Sequence, residues 1–302
     1  METSAPRRVK RASAKNTLQV VRAAGLSRIP WLIHGFSTRS GGSSICYGER
    51  NLNLGFTKED ARTKVESNRR QLLLALGAVS GKKTWPLIAN RQVHSDVIHV
   101  LNERPKEPLA GDGVITSLSG VAIAVLTADC LPVLLVDRKN KVVGAFHAGW
   151  RGTAQRIAEK GVGAMRREFG SRPEDFFAAI GPGIGKCCYV VGEELRQRFQ
   201  SQFDYADALF HEVKGSDPVR EKYPLLFLNQ RPPGHGDLCI ELHLDLAEAN
   251  RRQLRAAGVP DRNITVVGEC TACNTKKFFS HRADSGHTGR MMAVIGIRPG
   301  DR

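Results

Sequence analysis

Residues 121–155, VAIAVLTADCLPVLLVDRKNKVVGAFHAGWRGTAQ, constrain the fold more than any other stretch. VAIAVLT, PVLLVD and KVVGAF are short apolar runs rich in Val, Leu and Ile. Each is too short for a helix, so each reads as a strand buried on one or both faces. The polar DRKNK between the second and third suits a hairpin. Two reactive side chains interrupt the apolar pattern: Cys130, directly after Asp129, and His147, which opens HAGWRG. A thiolate and a neutral imidazole at adjacent strand ends offer zinc two of its ligands. The plain alternative is a small buried hydrophobe and a satisfied core histidine, because free cysteine is among the most buried residue types.

The neighbouring sequence favours a site. GWRG sets two glycines, a Trp and Arg151 between a strand and a helix. That helix is expected from Ala154, with Ile157, Ala158, Met165 and Phe169 apolar and Gly170 as its stop. Unpaired amides at its start, with the Arg151 guanidinium, would make an anion site beside the Cys/His pair. Upstream, His94 in NRQVHSDVIHV precedes a short strand and offers a third ligand, a second imidazole nitrogen.

Composition narrows the class. With 302 residues, 41% hydrophobic and 25% charged, the chain has ample core for one large domain or two ordinary ones. No apolar run approaches the ~20 residues of a membrane helix, and LQVVRAAGL is interrupted by Arg22, so no secretory signal is read. The expected location is the cytoplasm. Seven cysteines, an odd number, fit reduced thiols and a metal site better than a disulfide framework. The net charge of +15 is part leader, METSAPRRVKRASAK, and part Arg pairs spread over helices. Residues 1–28 are read as a basic flexible leader. No aromatic-interleaved basic stripe is present, so the charge points to anionic small substrates rather than a specific nucleic acid.

Along the chain, HGFSTRSGG reads as a loop carrying Arg39. Residues 60–76 read as a helix with a Thr57/Asp60 capping box, Val65, Leu72, Leu73 and Leu76 on one face, and Gly77 at its end. GPGIG lacks both the ending of a P-loop and the spacing of a dinucleotide fingerprint. Cys187–Cys188 read as a reduced structural pair, and His235 in PPGHGD has no evident partner. Residues 245–257 read as a helix stopped by Gly258 and Pro260, and ITVVGE and MMAVIGI as strands. Cys270 and Cys273 with His281 and His287 invite a zinc finger, but the spacing between the pairs is too short. Alternation of strands and helices in mixed order argues α/β with mixed β-sheets.

HGFSTRSGG, NLNLG, QVH, GDGVIT, TADCLPVLLVD, HAGWRGT, IGPGIG, CT and FFSHRADSGHTGRM occur in this order. Together they resemble the YfiH-type family, once called laccase-domain or polyphenol oxidase proteins and later assigned as purine nucleoside phosphorylases. The resemblance implies a single catalytic domain over residues 29–300, in a layered α-β-β-α arrangement. It implies His94, Cys130 and His147 as the ligands of Zn2+, with copper the less favoured metal. Arg39, Gln92 and Arg282 become candidates for contact with substrate or phosphate, and Cys273 is read as incidental.

Three protein ligands leave the fourth zinc position open, as in catalytic sites. Cys130, Asp129 and Arg151 are the catalytic candidates: a thiolate ligand, a base or backbone cap, and an anion anchor. The resemblance implies purine nucleosides and inorganic phosphate as partners, with phosphorolysis of adenosine, inosine, guanosine or methylthioadenosine. It also implies adenosine deamination, although the H-x-E … P-C-x-x-C deaminase signature is absent. Three rivals stand beside it. A copper-dependent polyphenol oxidase wants several His-rich centres, and no His-x-His pair exists. A Cys/His hydrolase would use Cys130 as nucleophile and His147 as base. A non-catalytic protein would bind nucleoside without turnover.

Overall fold

Alternate side chains of the central strands face two different cores, and that alternation sets the layers. Leu131–Asp137 and Val142–Ala148 form the expected antiparallel hairpin, from Leu131 opposite Ala148 to Asp137 opposite Val142. Its turn closes because the Asp137 carboxylate accepts from the amides of Lys139 and Asn140 at 2.8 and 2.9 Å, with Lys141 at φ 51°. Leu131, Val133 and Leu135 face a core shared with helices; Leu134 and Val136 face a core between two sheets. Every residue of both strands is buried, which explains their continuous apolar runs. This computed structural model describes residues 18–214, 222–223, 225 and 240–300.

The hairpin is the centre of a six-stranded sheet, ordered Ile264–Val266, Phe176–Ile180, Leu131–Asp137, Val142–Ala148, Gly113–Thr116, Ile98–Leu101. A five-stranded sheet packs on it, ordered Val20–Val21, Leu32–Ser37, Met291–Ile297, Ala122–Thr127, Leu87–Ala89. Both sheets mix directions: most pairs are antiparallel, but Leu87–Ala89, Ile264–Val266 and Ile98–Leu101 pair in parallel. Phe36, Ile123, Val125, Ala293 and Ile295 of the five-stranded sheet meet Leu134, Val136 and Ala145 of the other. On the outer face of the five-stranded sheet, the helix Arg62–Leu76 buries Leu72, Leu73 and Leu76 against Ile33, Ala124 and Val294. On the opposite outer face, Ile157–Phe169 and Leu246–Ala256 cover the six-stranded sheet. The arrangement is α-β-β-α.

Several local expectations are corrected. HGFSTRSGG is not a loop: Leu32–Ser37 and Ser40–Ser44 are strands around a tight corner. Its glycine fits a strand because a Cβ on Gly35 would meet Val20 Cγ1 at 2.4 Å and Leu76 Cδ2 at 2.7 Å. The helix after it starts at Arg62 with no side-chain cap, since Asp60 instead accepts from Ser44 Oγ and Asn53 Nδ2. The helix expected from Ala154 is two, Trp150–Ala154 and Ile157–Phe169, separated where Arg156 adopts φ 64°. Residues 18–28 are not leader: Val20 and Val21 extend a sheet, and Ala23 and Leu26 are buried. Residues 1–17 and His235 lie outside the described residues.

Candidate metal centre

The chain crosses from one sheet to the other between Thr127 and Leu131, and Cys130 stands at that crossing. His147 sits near the end of the adjacent strand, opposite Pro132. His94 lies in a second crossing, between Leu87–Ala89 of one sheet and Ile98–Leu101 of the other. The two crossings put the ligand atoms of His94, Cys130 and His147 within 4.8 Å of one another. The two rings stand edge to face with centroids 4.9 Å apart. His147 is buried, Cys130 half-buried and His94 exposed, so the set opens to one side. The first glycine of GWRG makes room: a Cβ on Gly149 would lie 2.9 Å from Cys130 Sγ and 3.5 Å from His94 Cδ2.

A fourth residue holds this geometry. Asp112, buried between the glycines of GDGVIT, accepts from His147 Nδ1 at 2.8 Å. The same carboxylate accepts from the amides of Val93, His94 and Ser95 and from Ser95 Oγ, at 2.7–3.1 Å. It therefore fixes the His147 ring and also the loop that keeps His94 at φ 57°. With Nδ1–H donated to Asp112, His147 Nε2 is the free ligand atom. Sequence reasoning passed Asp112 by. The signal was present: a lone carboxylate between two glycines, where no salt-bridge partner is near in sequence.

Electrostatically the three groups are tuned together. Burial pushes the Cys130 thiol up, but the charge and hydrogen bond of His147, with a hydrogen bond from His94, outweigh it and bring the thiol down to about 6. Burial likewise opposes charge on His147, yet the Cys130 thiolate and the Asp112 carboxylate raise it to about 9. Burial also opposes ionisation of Asp112, and the hydrogen bonds from His147 and Ser95 still hold it well below the usual carboxylate range. Near neutral pH the metal-free site is a thiolate–imidazolium pair. A metal would meet an ionised sulfur, and the proton it displaces would be the one on His147 Nε2.

A cavity of about 440 Å³ opens on the ligands, within the ~300–1,000 Å³ of small-molecule sites. Phe56, Leu126 and Ala128 supply apolar wall, and Arg91, Gln92, His281 and Arg290 supply polar wall.

Residues 33–298 match the family described as multi-copper polyphenol oxidoreductase laccase. The chain belongs to that family. It is 36% identical over 276 residues to "Purine nucleoside phosphorylase YlmD" of Geobacillus stearothermophilus, covering 88% of this chain and 90% of that one. It is 34% identical over 232 residues to "Adenosine deaminase RL5" of an unknown prokaryotic organism, covering 74% and 79%. The crystal structure of the Bacillus licheniformis hypothetical protein YfiH superimposes with a TM-score of 0.77 at 31% identity, over 95% of this chain and 98% of that one. The resemblance read from the motifs and the layered fold it implied are therefore both present.

In this laccase-family chain the residues singled out from sequence separate into two groups. His94, Cys130 and His147 converge, and Gln92 lines their cavity while its amide pairs with the backbone of Leu126 at 2.7 and 2.8 Å. Asp129 is adjacent but both its oxygens are engaged, by Thr271 Oγ1 and the Arg282 amide at 2.6 Å each. It acts as a cap at a strained φ of 85°, not as a free base. The three arginines stand outside the cavity lining. Arg39 donates to the carbonyls of Thr275, Phe278 and Tyr47. Arg151 is exposed, 5.1 Å from the Trp150 ring. Arg282 donates to the Val190 carbonyl and lines a separate groove with Trp150 and Tyr189. Asn90, Arg91 and Arg290 are polar lining residues that the sequence reading missed, and it had weighed His281 only for a zinc finger. Among the described residues, no helix is long and apolar enough to cross a membrane.

Proposed function

We propose that the chain is a zinc-dependent purine nucleoside phosphorylase that cleaves adenosine, inosine, guanosine and methylthioadenosine with phosphate. The observation that carries this reading is the open His94–Cys130–His147 set at a nucleoside-sized cavity. Two imidazoles and a thiolate suit tetrahedral zinc with a free fourth position. Among the described residues no second imidazole-bearing cluster joins them, as a multi-copper oxidase would want. Bound zinc would supply a Lewis acid and a water of lowered pKa.

The chain's own groups do the rest. Asp112 keeps His147 Nε2 turned to the metal, and Cys130 arrives ionised. Phe56 and Leu126 offer apolar surface to a purine, and Arg91 and Arg290 offer cations to phosphate. Gln92 stiffens the wall between them, and Asp129 anchors the backbone behind Cys130. Arg39 and Arg282 act from outside the cavity, as positioning residues through the backbone carbonyls they hold, and Arg151 faces solvent beside Trp150. In phosphorolysis the C1′–N9 bond breaks, a phosphate oxygen bonds C1′, and the base departs with a proton. The cytoplasm suits this reading, because Cys130 must remain a thiol.

Incubating purified protein with adenosine, with and without phosphate, tests it. Adenine and ribose 1-phosphate should appear only with phosphate, and Cys130→Ala should abolish both. Base release that ignores phosphate refutes phosphorolysis. Deamination to inosine and ammonia is a second reading, favoured by the similarity to the protein named adenosine deaminase. The thiolate–imidazolium pair also favours a Cys/His hydrolase. Loss of activity on chelation, with thiol alkylation blocked by zinc, separates the metal enzyme from it.

A further inference from the structure

Cys187, Cys188, Cys270 and Cys273, none of which lines the cavity, come together on two loops 82 residues apart in sequence. Their four Sγ atoms lie within 4.8 Å of one another. Cys273 Sγ is 3.4 Å from Cys187 Sγ and 3.3 Å from Cys188 Sγ. Four thiolates around a tetrahedral zinc, with Zn–S of about 2.3 Å, stand about 3.8 Å apart. The sulfurs thus already bracket the spacing a metal would impose. The separations of 3.3 and 3.4 Å are far beyond a disulfide bond of about 2.05 Å.

Only Cys270 is buried, so core packing does not explain the other three thiols. Cys187 and Cys273 are exposed and Cys188 is half-buried, whereas a cysteine serving as a small hydrophobe is buried. The local backbone is shaped for a thiolate: the Gly185 amide donates to Cys270 Sγ at 3.2 Å, and Cys270-Thr-Ala-Cys273 opens a run of tight turns. A Cβ on Gly185 would lie 3.2 Å from Cys270 Cβ and 3.3 Å from Cys187 Sγ, so the loop closes on the sulfurs. Neither loop has much regular structure to hold it. They are joined by Thr271 N to Gly183 O at 3.0 Å and Gly183 N to Glu269 O at 3.4 Å.

We propose that these four cysteines bind a structural zinc ion, distinct from the His94–Cys130–His147 centre. Binding releases the thiol protons, leaving a tetrathiolate site of net charge −2. Lys186, Lys276 and Lys277 flank the ligands in the sequence, with Lys277 paired to Glu269 at 2.6 Å and Lys186 3.7 Å from Asp245. Four protein ligands close the coordination shell, so the site is a clamp rather than a reaction centre. What it clamps is the wall behind the first metal. Thr271 and Arg282, on the second loop and the segment after it, hold the two oxygens of Asp129, and Ile184 N of the first loop donates to Asp129 O at 2.7 Å. Asp129 precedes ligand Cys130.

Metal content of the full chain tests this without reference to activity. Elemental analysis of His94→Ala/Cys130→Ala/His147→Ala should find one zinc per chain, and adding Cys187→Ser/Cys273→Ser should remove it. In the wild-type protein, alkylation followed by peptide mass mapping should find all four cysteines protected until a chelator is added. Cobalt substitution of the triple variant should give the charge-transfer and ligand-field bands of a tetrathiolate. A triple variant without metal, or four wild-type thiols that alkylate freely before chelation, overturns the proposal. So does protection that a chelator leaves intact and a reductant removes, because that is a disulfide.

Discussion

Replacing Asp112 by Asn keeps the side chain's shape and removes the acceptor capacity on which the metal centre rests. Five donors point at the carboxylate: the amides of Val93, His94 and Ser95, Ser95 Oγ and His147 Nδ1. Oδ2 receives three of them and Oδ1 receives His94 N and His147 Nδ1, so the amide carbonyl takes the Oδ2 position. The new NH2 then faces His147 Nδ1 and the His94 amide. His147 can relieve its clash by moving its proton to Nε2, which removes the lone pair that ligates metal. The His94 amide has no such escape and is left unpaired, at about 1–3 kcal/mol. Loss of a charge-assisted bond adds about 1.5–3 kcal/mol. Stability of the metal-free protein should therefore fall by about 2.5–6 kcal/mol. Losing the partner that orients a ligand costs about 10–100-fold in metal affinity, or about 1.4–2.7 kcal/mol. Competition with a calibrated chelator reads the affinity, and urea denaturation of the metal-free protein reads the stability. A D112N variant that binds zinc as tightly as wild type refutes the claim that this carboxylate sets the His147 tautomer.

Two further outcomes follow from the same geometry. The stability of the metal-free protein should stay nearly level between about pH 6 and 9, because the His147 contribution falls across that range as the Cys130 contribution rises. His147, raised to about 9, stabilises fully below its unfolded value of 6.5 and loses that contribution as pH rises through 9. Cys130, depressed to about 6, stabilises fully above its unfolded value of 9.0 and loses that as pH falls through 6. Denaturation midpoints across that range check this, and a profile identical to that of Cys130→Ala would sink it. Gly149→Ala should lose most metal while costing only about 1–3 kcal/mol of stability, because its Cβ would press on Cys130 Sγ at 2.9 Å. Full metal occupancy in that variant would mean that Cys130 shifts without penalty.

Local regularities made much of the fold legible. The apolar runs at 122–127, 131–137 and 142–148 are strands because each residue type and each run length admits little else. The Asp137 turn, the Gly77 stop with φ 72° and the helix ending before Gly258 each follow from chemistry within a few residues. Where a competing partner came from afar, local reading failed. Asp60 left its expected cap for Ser44 and Asn53, and HGFSTRSGG became strand where Leu32–Ser37 pairs with Met291–Ile297 at the other end of the chain.

The candidate site divides the same way. Sequence alone determined which residues have metal chemistry, since a thiol at a strand end and imidazoles in QVH and HAGWRG keep their ligand character in any fold. Only the tertiary structure decided their distances. It placed two sheet-to-sheet crossings side by side, brought Asp112 under His147, and turned Arg39 and Arg282 to backbone carbonyls outside the cavity. It also set Cys187 and Cys188 against Cys270 and Cys273. Spacing along a chain reports neighbours within a turn or a hairpin. Contacts across some 80 residues are set by how layers pack, and no local pattern encodes them.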